Sequence, residues 1–244
     1  MSFKEKFKEE VKNLKENNNK NLILALVFAI VVLFLYCYFG SYSFFESTFP
    51  NLKDVQFYKI IYHNLMAFVL FFGFGTIFVK FVMKQNLSQF GLGLKNKKFF
   101  LFVGTVSLVV FPLLALSTTL DKGMTATYPL VDFATYGQWY NILLYFGSYL
   151  LYYVGWEFLF RGILFFGSKE KCGVLGAILI TTLISALIHT SIAGFGKPMI
   201  ETLSAIPAGL IFGYFAHKTD SIYLSLLCHV LIGFFTDIFI FVLV

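Results

Sequence analysis

Apolar residues run along this chain in long blocks separated by short polar stretches. Each block approaches or exceeds the ~20 residues that a helix needs to cross a bilayer core of ~30 Å. The pattern predicts seven spans, over residues 22–39, 57–83, 99–119, 139–166, 174–190, 199–216 and 221–244. The third contains Pro112, which a membrane helix tolerates because its neighbours can satisfy the freed carbonyl. Ahead of the first span lies a tail, residues 1–20, rich in Lys and Glu. In it Phe3, Phe7, Val11 and Leu14 fall at helical spacing, so it reads either as an amphipathic surface helix or as a solvated disordered segment. The expected organisation is therefore this tail followed by one membrane domain, 21–244. The fold class is all-α, a polytopic transmembrane helical bundle. The sixth span carries Ala205, Gly209 and Gly213 at four-residue steps, a small-residue face suited to close helix contact.

Composition agrees with the pattern. Of 244 residues, 58% are hydrophobic and only 13% charged, about half the charge of a soluble domain. The net charge of +6 implies orientation rather than nucleic-acid binding. Lys84, Lys95, Lys97, Lys98, Lys169, Lys171 and Lys218 cluster in the second, fourth and sixth loops. That excess is expected on the cytoplasmic side, which puts the N-terminus inside. Three cysteines at unrelated positions provide no disulfide framework.

Against this apolar background, six residues stand out. Glu157 and Arg161 lie four apart in the fourth span, and Arg161 is the only arginine in the chain. A charge at mid-membrane costs ~2.5–3.5 kcal/mol on insertion scales, so the pair asks for a reason. His189, Glu201, His229 and Asp237 follow in the last three spans. Ser225, His229, Gly233 and Asp237 form one helical stripe, and Tyr149, Tyr153, Glu157 and Arg161 form another. Such stripes avoid lipid and converge on a wet interior. The residue types leave three readings open. Two imidazoles with carboxylates suit a catalytic divalent metal, Zn²⁺ above all, with a further carboxylate as general base. The same set could form a proton relay in a small transporter. The Glu–Arg pair could also simply fasten the bundle.

The motifs resemble those of the CPBP intramembrane metalloproteases, also called the CAAX protease or bacteriocin-processing (Abi) family, over about 99–240. The family's Glu-Glu-x-x-x-Arg motif is matched by Trp156-Glu157-Phe158-Leu159-Phe160-Arg161, with Trp156 in place of the first glutamate. Its Phe-x-x-x-His motif is matched at His189, with Ser185 in the Phe position. Its His-x-x-x-Asn motif is matched at His229, with Gly233 in the Asn position. The resemblance implies a metal-dependent endopeptidase in which His189 and His229 hold a divalent metal, and the residue pattern itself adds Glu201 or Asp237 as candidate further ligands. Glu157 is then the candidate base and Arg161 its orienting partner. In the family the missing glutamate is the usual base, so Glu157 or Glu201 would have to supply that carboxylate. Apart from the resemblance, Gly233 leaves space in which a water or the Asp237 side chain, one turn beyond, could stand in for the asparagine. The substrate would be a membrane-associated protein or peptide, such as a prenylated CAAX protein or a bacteriocin leader. The expected location is a bacterial plasma membrane, as a multi-pass protein in the lipid bilayer. The alternatives are a catalytically inactive relative, acting as an immunity or scaffold protein, and a proton-coupled carrier using Glu157 and Asp237. Depth along straight helices puts Glu157 and His229 ~12 Å from the cytoplasmic end, with His189 and Glu201 ~22 Å from it.

Overall fold

The computed structural model describes residues 2–6, 19–190 and 196–244. Most of the expected tail, and most of the expected loop at 191–198, lie outside the described residues. The described part is an all-α bundle. Its long helices are α1 (Lys20–Phe39), α3 (Val55–Met83), α4 (Lys97–Leu120), α7 (Trp139–Ile188), α8 (Met199–Thr219) and α9 (Tyr223–Leu243). Three short helices sit in the connections: α2 (Tyr42–Thr48), α5 (Lys122–Thr127) and α6 (Phe133–Tyr136).

Six described helices are long and apolar enough to cross a membrane, where the sequence pattern predicts seven spans. The difference lies in α7, whose 50 residues take in both the fourth and the fifth expected span. A straight helix of that length would reach ~75 Å, more than twice the bilayer core. It is not straight. The rings of Trp156 and His189 are in edge contact with centroids 5.5 Å apart, although a continuous helix would separate them by ~50 Å. The chain doubles back between them, and the break is at Gly173, with φ 69° and ψ 173°. That φ lies in the region open to glycine and costly to other residues.

The distribution of side chains suits lipid outside and polarity inside. Phe34, Phe102, Leu113, Leu179 and Leu203 are exposed, whereas Glu157, Arg161, Ser225 and Asp237 are buried. This is an integral membrane protein. With no hydrophobic gain from burying one apolar helix against another in lipid, close approach and polar contacts must hold the bundle. The small-residue face of α8 does this. A Cβ on Gly209 would come within 2.8 Å of Thr182 on the returning arm of α7. At one end of the bundle, Asp220 receives Lys95 at 3.2 Å and Lys169 at 3.4 Å. Beside it the Ile222 amide donates to the Gly91 carbonyl at 3.0 Å. These bonds tie three basic connections together and anchor the start of α9.

Candidate functional site

Glu157 ends the regular first part of α7, and a π-helical stretch, Phe158–Leu164, follows it. Such wide turns often accompany functional positions in helices. Arg161 lies within that stretch, and its Nη1 donates to Glu157 Oε1 at 3.4 Å. The same oxygen takes a second hydrogen bond, from His229 Nδ1 on α9, at 2.8 Å. The Glu157 side chain is fully buried and that of Arg161 is 3% exposed. The guanidinium also lies 5.4 Å from the centre of the Phe212 ring, a cation–π contact. A carboxylate partner fixes the His229 tautomer: Nδ1 carries the proton, and Nε2 presents a lone pair.

His189 closes the returning arm of α7. Its Nδ1 donates to the Ser185 carbonyl at 2.7 Å, so it too presents Nε2 as an acceptor. Its own carbonyl takes a hydrogen bond from Thr202 on α8, at 3.1 Å. His189, His229 and Glu201 line one cavity of about 160 Å³, whose walls include Phe111, Met124, Ala205 and Phe212. An adjoining cavity of about 500 Å³ shares Tyr149, Tyr153 and the same His189, His229 and Glu201. Its remaining walls are more polar and include Tyr42, Glu46, Lys59 and Lys197. The two depth levels expected from straight helices thus open onto a single continuous set of walls.

Of the six residues singled out from the sequence, His189 lines the cavities, and the other five separate into three groups. Glu157, Arg161 and His229 are directly bonded. Glu201 lies in the first turn of α8, where the helix dipole favours a negative charge. It is held by the Tyr128 hydroxyl at 2.8 Å and by Lys197 at 3.3 Å, and Lys197 also donates to that hydroxyl. Asp237 stands apart: it is fully buried, accepts from the Tyr145 hydroxyl and lines neither cavity.

Of the three positions that depart from the family motifs, two, Trp156 and Gly233, have their space occupied by aromatic rings. Trp156 is packed among Tyr152, Phe160 and His189, and its indole nitrogen has no hydrogen-bond partner among the described residues. The space beside Gly233 is taken by Tyr153, since a Cβ on Gly233 would overlap the Tyr153 hydroxyl. Asp237 therefore does not fill the position of the family's asparagine. The sequence does put Tyr153 on the face of Glu157, but only the fold reveals that it crosses to Gly233. Tyr128 and Lys197 carried no signal beyond the four-residue spacing of Lys197 and Glu201.

The residues do not fit a preformed three-ligand metal centre. Two imidazoles offer Nε2 to one cavity, but both Glu201 oxygens are engaged and Asp237 is elsewhere. Among the described residues, no group of three or more His, Cys, Asp or Glu side chains could hold a metal ion.

Residues 138–235 match the family model described as "Rce1-like: Type II CAAX prenyl endopeptidase Rce1-like". The matched stretch takes in Glu157, Arg161, His189, Glu201, His229 and Gly233 and stops before Asp237. No curated protein and no solved structure matches the chain.

Proposed function

We propose that this chain, whose residues 138–235 match the Rce1-like CAAX prenyl endopeptidase model, is an intramembrane endopeptidase of the CAAX protease (CPBP) type, and that His229 is the general base of its peptide-hydrolysing site. The observation that carries the reading is the 2.8 Å bond from His229 Nδ1 to Glu157. A buried carboxylate behind an imidazole holds the ring in one tautomer and stabilises the cation formed when the ring takes a proton. Glu157 itself lines neither cavity, so it works through His229 rather than on water directly. Arg161 holds Glu157 in place.

In this mechanism a water in the cavity gives a proton to His229 Nε2 as its oxygen bonds to the scissile carbonyl carbon. His189 Nε2 accepts the water's other hydrogen and aligns it. The tetrahedral adduct then collapses, the C–N bond breaks, and the imidazolium returns its proton to the leaving amine. The products are a carboxylic acid and an amine, and the histidine is restored. The substrate class is a membrane-associated protein or peptide, with the basic end of the bundle facing the cytoplasm. No step is routed through a metal, because the arranged ligands number two.

The test is cleavage of a fluorogenic peptide ending in a farnesylated CAAX sequence, presented in liposomes. We expect His229→Ala to lower kcat by about 10³-fold or more, with chelators leaving the wild-type rate intact. Cleavage that is lost on chelation and restored by zinc would replace this mechanism with a metal-dependent one, with Glu201 released from Tyr128 and Lys197 to act as a third ligand. A wild-type protein that leaves the peptide whole favours the second reading, a non-catalytic relative. Trp156 in place of the family's first glutamate is the observation on that side.

A further inference from the structure

Addition of water to a carbonyl places negative charge on its oxygen. A site without a metal has to meet that charge with hydrogen-bond donors. Neither cavity histidine offers one in its neutral form, since both spend Nδ1–H elsewhere. The Tyr128 hydroxyl gives its one proton to Glu201, and Lys197 is drawn to Glu201 and to that hydroxyl. Tyr153 is differently placed. It lies one turn before Glu157 on α7, is 4% exposed, and lines both cavities. Its ring centre is 4.4 Å from that of His229. Its hydroxyl is seated against α9 at Gly233, one turn beyond His229, in space that any side chain there would fill. Tyr149 stacks on it at 4.6 Å and limits its swing.

We propose that Tyr153 is a further catalytic residue of this site, its hydroxyl donating to the substrate's carbonyl oxygen as His229 directs water onto the carbonyl carbon. The inference rests on the peptidase reading above. Tyr153 gives up no proton in the cycle: the hydrogen bond strengthens as the oxygen becomes negative and relaxes when the C–N bond breaks. Gly233 is part of the same device, because the absence of its side chain is what lets the phenol reach the base.

The experiment pairs an activity arm with a steric arm. On the farnesylated CAAX peptide in liposomes, Tyr153→Phe is expected to lower kcat by about 10²–10³-fold, with KM and the thermal midpoint in detergent unchanged. Tyr153→Phe cleaving at the wild-type rate would overturn the proposal while leaving the peptidase reading standing. Wild-type protein that fails to cleave would remove both. In the steric arm, Gly233→Asn should lower the thermal midpoint, and adding Tyr153→Ala to that variant should restore it. A Gly233→Asn protein as stable as the wild type would show that the hydroxyl does not occupy this space and would likewise overturn the proposal.

Discussion

Two ion pairs in this protein share the same spacing but differ in surroundings. Glu157–Arg161 and Lys197–Glu201 are each four residues apart, with contacts of 3.4 Å and 3.3 Å. The first has side chains 0% and 3% exposed, and the second 19% and 23%. In the first, the arginine makes a carboxylate affordable in the interior, and the carboxylate can then hold His229. In the second, the acid faces the cavities and is shared between a lysine and a phenol, so its partners can exchange. Identical spacing thus yields a fixed support in one place and an adjustable cluster in the other. Desolvation decides which, because an unpaired charge is expensive only where water cannot reach it.

The sharpest way to break this comparison is to remove one member of the buried pair. Arg161→Met leaves Glu157 facing a dry interior and should cost roughly 3–5 kcal/mol, read as a large fall in the thermal midpoint in detergent. Adding Glu157→Gln should recover much of that loss, since no unpaired charge then remains. A single variant as stable as the wild type would mean that water enters beside Glu157. Lys197→Ala is the matching change in the partly exposed pair. It should shift stability by less than about 1 kcal/mol, and a loss comparable to that of Arg161→Met would erase the distinction. The smallest effect concerns Asp220, outside the spans. Partial burial raises its pKa, but the Lys95 hydrogen bond and the charges of Lys169 and Lys95 outweigh this and leave it below the usual Asp value. Its folded pKa is thus depressed, so its contribution is present above the unfolded value and is lost as pH falls through the folded one. Acid titration of thermal stability should show a shallow loss below about pH 4, absent in Asp220→Asn.

The bundle was legible in the sequence because lipid imposes a coarse rule: long apolar runs, with polarity confined to connections and interior. The same rule exposed Glu157, Arg161, His189, Glu201, His229 and Asp237, since each is costly in a span. It could not assign their partners. Asp237 and His229 lie on one stripe of α9, yet one turns to Tyr145 and the other to Glu157. Tyr153 escaped notice as a neighbour of Gly233 because a tyrosine in a span is unremarkable on hydropathy. Its placement depends on what a different helix lacks. The fourth and fifth spans were visible as separate blocks, but the turn joining them is so tight that they read as one helix in the structure.

That turn has a consequence for how the site tolerates change. Gly173 falls midway in sequence between Glu157 and His189, and the chain reverses there with no slack loop to absorb an error. The relative height of the two residues is therefore metered by residue count alone, like marks on a folded ruler. One residue inserted into either arm would lift its mark by ~1.5 Å and rotate it by ~100°. Lineages of this protein should accept length changes in the connection around 120–137 far more readily than between Glu157 and His189.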